Sequence, residues 1–216
     1  MPNRFVKGTQ VPALQKAPPG PLREYLDQMN GTLRTYFTAL SSGINSILGS
    51  FGMQFIEASN GFFYSDADQP LDTINVAQNV TFSDTYLNNG ITLGGVDSSE
   101  ITVTYSGIYS VQFSGQIASS SASDKVVWVW IARNGTDMGF STRAYSIEGA
   151  SKLIEITKDF ILDLEAGDMI QILWSGNDAD TELSATAAAG PHPGISSAVL
   201  AIHLVSALPA TLPAFP

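Results

Sequence analysis

GIYSVQFSGQI, residues 107–117, alternates apolar and polar side chains without a break after its opening glycine. Tyr109, Val111 and Phe113 fall on one face and Ser110, Gln112 and Ser114 on the other, the period of two of a half-buried antiparallel strand. The first three are therefore expected in the core. Later in the chain, FILDLEAGDMIQILW (160–174) reads as two apolar strands folded about Glu165, Ala166, Gly167 and Asp168, and SSAVLAIHLV (196–205) as a closing strand. Before the central strand come short apolar runs at 53–58, 61–64, 79–82, 90–93 and 101–105, punctuated by Asn88-Asn89-Gly90 and Gly94-Gly95. KVVWVWIAR (125–133) ends at Asn134-Gly135, a strong hairpin signal, and 139–147 is expected to pair back on it. Residues 185–194, with an alanine run and Pro191-His192-Pro193, read as a long loop. Short strands with such turns predict a mainly β sandwich or jelly roll rather than a parallel sheet. Trp128 and Trp130 lie two apart and share a face, which is expected to be the core face.

The first 50 residues are of a different kind. Pro2, Pro12, Pro18, Pro19 and Pro21 forbid a helix over 1–20 and impose an extended backbone. Phe5, Val6, Val11 and Leu14, interleaved with Arg4, Lys7 and Lys16, give this arm apolar side chains to lay along a partner surface. Residues 21–50 then place Leu22, Leu26, Met29, Leu33, Phe37, Leu40, Ile44 and Ile47 at spacings of three and four, a coiled-coil type of seam with one stutter between Leu33 and Phe37. Pro21 suits the first helical position, and Gly49 and Gly52 supply the stop. Gly31, Gly43 and three threonines lower the helix propensity, so the seam is expected to be helical through packing on copies of itself. The alternative is an amphipathic helix lying on its own domain. The globular part is expected over 51–206 and an extended tail over 207–216.

At 216 residues and 44% hydrophobic, the chain can bury one sizeable core plus an extension. It has no cysteine, which excludes disulfides and thiol chemistry. The net charge of −10 is uneven: Arg4, Lys7, Lys16 and Arg23 precede the first acid, whereas the remainder carries six basic against twenty acidic groups. An electropositive arm on an acidic head suggests two ends with different partners, and the acidic head argues against nucleic acid. No apolar run approaches the ~20 residues of a membrane helix, so no membrane insertion is expected. Nothing at the N-terminus has the order of a secretory signal.

Catalysis has little to work with. The two histidines, His192 and His203, lie in a proline-flanked loop and on the polar side of an apolar strand, and no nucleophile elbow, phosphate loop or His-Glu-x-x-His motif occurs. Asp66 with Asp68, and Asp178 with Asp180, are spaced so that alternate oxygens can share a hard cation, but acidic loops of this composition are ordinarily solvated turns. No cofactor and no metal are expected.

The Gly-x-Tyr-x-Val-x-Phe strand at 107–113, the Leu-x-x-Gly-Asp-x-Ile segment at 164–170 and the apolar strand near the end resemble the jelly roll of the tumour necrosis factor and complement-collagen globular domains. The resemblance implies a ten-strand-type sandwich that packs as a homotrimer, with strands 107–117, 169–174 and 198–205 in the sheet around the threefold axis. Bacteriophage fibre proteins carry such domains in the same order: virion-binding arm, helical stalk, knob. The expectation is thus a non-enzymatic virion protein, assembled in the bacterial cytoplasm. Its arm binds another virion protein, and its knob presents itself to a host surface receptor or glycan. A head-decorating or tail-connecting trimer is the nearest alternative. A polysaccharide-acting enzyme and a free bacterial jelly-roll binding protein stand beside it.

Overall fold

The structure is a computed structural model, and it describes residues 20–48, 58–149 and 152–207. The chain divides into two units, 1–57 and 58–216. In the first, helix α1 spans Arg23–Leu48, roughly 40 Å at ~1.5 Å per residue. It begins two residues later than Pro21 suggested. Gly20, Pro21 and Leu22 form a turn closed by the Arg23 N–H on the Gly20 carbonyl at 3.0 Å. Thr32, Thr35 and Thr38 each donate to the carbonyl four residues back, at 3.1, 3.0 and 2.8 Å, which satisfies their hydroxyls on the helix surface.

The second unit contains fourteen strand segments among the described residues. They are β1 (Asn60–Ser65), β2 (Gln69–Pro70), β3 (Gln78–Asn79), β4 (Asp84–Asn89), β5 (Ile91–Gly94), β6 (Glu100–Val103) and β7 (Gly107–Ser119), followed by β8 (Lys125–Arg133), β9 (Thr136–Asp137), β10 (Arg143–Ile147), β11 (Lys152–Leu164), β12 (Met169–Gly176), β13 (Thr181–Leu183) and β14 (Ala198–Ala207). Among β1, β6, β7, β8, β10, β11, β12 and β14, the first pairs with the last, the second with the seventh, the third with the sixth and the fourth with the fifth, all antiparallel. This is one long antiparallel ribbon rolled into two sheets. It is a jelly roll. The sheets run β11-β7-β14-β1-β4, extended by β13 and β2, and β10-β8-β12-β6-β5, with β3 and β9 attached.

Strand β7 is the spine of the first sheet. Its inward row holds Tyr109, Val111 and Phe113, buried as expected, and buried Ile117, while Gln112 faces out. Gly107 opens it because a Cβ there would stand 2.8 Å from the Ser206 carbonyl oxygen of β14, too close for any side chain. The Tyr109 hydroxyl reaches back to donate to the Tyr105 carbonyl at 2.7 Å, so the tyrosine two residues after that glycine locks the entry of the strand. The core between the sheets is completed by Phe63, Val129, Ile131, Ile156, Ile172, Trp174 and Leu200.

Four expectations are corrected. Residues 160–174 are not a hairpin ladder: β11 pairs with β7 in one sheet and β12 with β8 in the other, so the Glu165–Asp168 turn carries the chain across the sandwich. For the same reason 169–174 lies in the sheet opposite 107–117. The strand that starts at Phe160 in the sequence reading begins at Lys152, because Lys158 on its inward row and Leu153 on its outward row interrupt the period. Trp128 and Trp130 are half-buried on the outward row of β8, while Val127, Val129 and Ile131 fill the core. Strand β4, exposed along its whole length, has no alternation by which it could be recognised. The run at 53–57 lies outside the described residues.

Candidate functional site

The arm residues Arg4, Phe5, Val6, Lys7, Val11 and Leu14 lie outside the described residues, as does the side chain of Ile47. Leu26, Met29, Leu33, Phe37, Leu40 and Ile44 lie on α1, and Leu22 lies in the turn before it. Leu22, Met29, Leu33 and Leu40 are 66, 43, 38 and 46% exposed, and Leu26, Phe37 and Ile44 are half-buried. Their spacing puts them on one stripe, and Tyr25 and Tyr36 widen it.

A second surface is the outward face of the β7 sheet. Phe62 and Tyr64 of β1, Val199 and Ala201 of β14, and Ile108 of β7 stand on it half-buried, and Tyr86 of β4 meets Phe62 edge-on at 5.9 Å. His203 lies on this face between Ser110 and Asn60 in the ladder, exposed. Sequence reading missed Phe62 and Tyr64, because β1 is apolar on both faces and its alternation carries no polar signal.

The acidic candidates fasten loops. Asp66 accepts from the Ser196 hydroxyl at 2.7 Å, and Asp68 from the Ala185 N–H at 2.7 Å, which holds the 185–196 segment against β1. Both line a pocket of about 570 Å³ with Tyr64 and residues 185–188 and 194–196. Asp178 accepts from the Asp180 N–H at 2.9 Å and the Ser123 hydroxyl at 3.0 Å, and these bonds, led by the Asp180 N–H, hold its carboxyl below the ordinary value. Among the described residues, no three acids or histidines cluster with the geometry of a metal site. Neither imidazole is hydrogen-bonded to a carboxylate there; His192 Nδ1 lies 3.4 Å from the Pro193 carbonyl oxygen.

The Gly-Asp pair of the resemblance has a structural role that the sequence could not state. Gly167 turns with φ at 91°, and buried Asp168 then accepts from the Arg133 guanidinium, from Asn134 Nδ2 at 2.7 Å and from the Glu165 N–H at 2.6 Å. Asn134 in turn accepts the Met169 N–H at 2.9 Å. Burial pushes the Asp168 carboxyl up, but the bonds from Asn134, Glu165 and Arg133 outweigh it and hold it below its ordinary value. The corner between the sheets is thereby stapled to the β8–β9 hairpin.

At the other end of β8, Lys125 is 1% exposed on the inward row. It donates to the Ser121 carbonyl at 2.6 Å and the Gly149 carbonyl at 3.2 Å, tying two loops together. Lys125→Met, which keeps the volume but strands both carbonyls, is expected to cost about 1–3 kcal/mol in urea unfolding. A loss within ~0.5 kcal/mol would mean that the ammonium clamps nothing.

No protein-family model matches the sequence, and no curated protein does. Many solved structures are similar to it, two of them as follows. The globular domain of zebrafish complement 1qA protein is 15% identical, matching 70% of this chain and 100% of that one with a TM-score of 0.47. The structure of Eiger TNF from S. frugiperda is 12% identical, matching 74% of this chain and 99% of that one with a TM-score of 0.48. The likeness is one of fold. The ribbon pairing described above makes the jelly roll independently of it.

Proposed function

We propose that this protein is a non-enzymatic structural protein of a bacteriophage virion: a homotrimeric fibre that binds the particle through residues 1–20 and presents the jelly roll for host attachment. One observation carries the reading. From Leu22, in the turn before helix α1, to Ile44 an apolar stripe runs over about six turns, with Leu22, Met29, Leu33 and Leu40 all more than a third exposed. A stripe of this length at coiled-coil spacing is satisfied by copies of itself along a shared axis. The outward apolar residues of the β7 sheet offer the globular unit a second self-complementary surface, and the basic, proline-rich arm offers an extended anchor with apolar side chains. Three arms on one trimer would make a weak single contact nearly permanent through linked binding.

Sedimentation of the full chain at micromolar concentration is expected to give a trimer. Deletion of residues 1–20 is expected to leave that trimer intact while abolishing its incorporation into particles. A monomer in the first measurement overturns the fibre, and normal incorporation of the deleted protein overturns the anchor. The head-decorating alternative predicts the same trimer but adsorption of particles to cells that does not change when the protein is left out.

A further inference from the structure

The two sheets of the sandwich end side by side at β10 and β11, each the last strand of its sheet. An inward row at such an edge should be apolar, and in β11 it reads Ile154, Ile156, Lys158, Phe160, Leu162 and Leu164, with one cation among five hydrophobic residues. Lys158 stands opposite buried Phe113 in the ladder, and its ammonium emerges over the Tyr145 ring of β10, 5.3 Å from the centroid. The inward row of β10 begins with a second cation, Arg143, opposite buried Val129. Both cations line one cleft of about 290 Å³, with Phe140, Thr157, Asp159 and Ile161 around it.

These two charges have no ion-pair partner among the described residues. The salt bridges among the described residues join Arg23 to Asp27 and Arg133 to Asp163 and Asp168, and none reaches Arg143 or Lys158. Arg143 spends Nη1 on the Phe140 and Thr142 carbonyls, at 3.4 and 2.9 Å, which orients the guanidinium and leaves the rest of its fork without a protein acceptor among the described residues. Burial, and after it the neighbouring Arg143, depresses the Lys158 ammonium below its ordinary value. The pair is thus held together at a cost, in a globular unit whose acids far outnumber its bases, where carboxylate partners were plentiful. Asp159 is on the outward row of β11 and beyond ion-pair distance of either cation.

We propose that this cleft binds a carboxylate-bearing saccharide. The guanidinium fork and the ammonium take the carboxylate, and Phe140 and Ile161, 67 and 76% exposed, offer apolar walls to the C–H face of the sugar ring. The volume, about ten waters' worth, suits one such ring and its substituents rather than an extended chain. The nearby Asp159 disfavours a dense polyanion. This inference rests on the reading of the jelly roll as an attachment knob, and names the class of ligand that the knob takes.

The test is calorimetric titration of the full chain with methyl galacturonoside, with methyl galactoside, with inorganic phosphate and with a capped peptide holding one glutamate. The acidic sugar is expected to bind and the neutral one to bind at least tenfold more weakly. The double variant R143Q/K158Q, checked for an unchanged melting profile, is expected to lose at least tenfold in affinity for the acidic sugar. Phe140→Ala, a surface change that cannot unfold the sandwich, is expected to weaken the sugar several-fold while leaving phosphate unchanged. Equal binding of acidic and neutral sugars, full affinity in R143Q/K158Q, or preference for phosphate or the peptide overturns the proposal. So does no binding at all. Particle adsorption to host cells, measured separately, tests the attachment reading: adsorption that needs the knob but survives R143Q/K158Q leaves that reading standing and removes only the ligand.

Discussion

Phe113→Ala is expected to destabilise the jelly roll by about 3–5 kcal/mol, the largest effect of any single truncation considered. The ring is 1% exposed at the centre of β7, opposite Leu200 of β14 in the ladder. It leans over Gly115, where a Cβ would come within 3.0 Å of its Cζ and 3.1 Å of Leu183 Cδ2. The glycine is small because the phenyl group occupies its side-chain space. Removing the ring leaves a cavity lined by strands held on both sides by ladders, which cannot collapse to fill it. Gln112→Ala, one residue earlier on the outward row, is expected within about 0.5 kcal/mol. Denaturant midpoints at fixed protomer concentration and equal m-values check both. A loss below ~1 kcal/mol for Phe113 would place the wrong face of the strand inside.

Asp168→Ala is expected to cost about 3 kcal/mol, because it leaves Arg133 and the Glu165 N–H without their carboxylate and unties Asn134 from the corner. The pH dependence identifies the cause. The carboxyl lies below 3.8 in the folded chain, so the unfolded chain takes up the proton first. Its contribution is fully present above that value and is lost as pH falls through it towards the depressed folded one. Wild-type stability should therefore begin to decline as pH falls towards 3.8 and go on declining below it, and the decline should be shallower in Asp168→Ala. It should not vanish, since Asp97 is also depressed: burial raises it, but bonds from Ser99 and Asn79 outweigh that. Asp168→Asn, which keeps an acceptor but loses the charge, is expected to fall between. An unchanged acid limb in the alanine variant would show that the corner is held by something other than this carboxylate.

The sequence alone determined the face of β7, since only a period of two sorts Tyr109, Val111 and Phe113 from Ser110, Gln112 and Ser114. It also determined the helix over α1, the glycine corner, and the class of fold, because turn residues and alternation act locally along the chain. It was silent or misleading wherever both faces of a strand are of one kind. VVWVWIA, residues 126–132, is apolar throughout, and only the register Ile172 to Ile131 and Leu173 to Trp130 between β12 and β8 decides that Val127, Val129 and Ile131 go in and the tryptophans out. Strand β4 is polar enough on both sides to have no face until β1 gives it one. Whether 160–174 turns back on itself or crosses the sandwich cannot be read from a turn motif, since a tight turn permits both. The crossing is settled by thirteen ladder pairs between β11 and β7, residues 33 to 57 positions apart. The cation pair was invisible for the same reason. Arg143 and Lys158 belong to different strands of different sheets, and only the closing of the two edges brings their charges into one cleft.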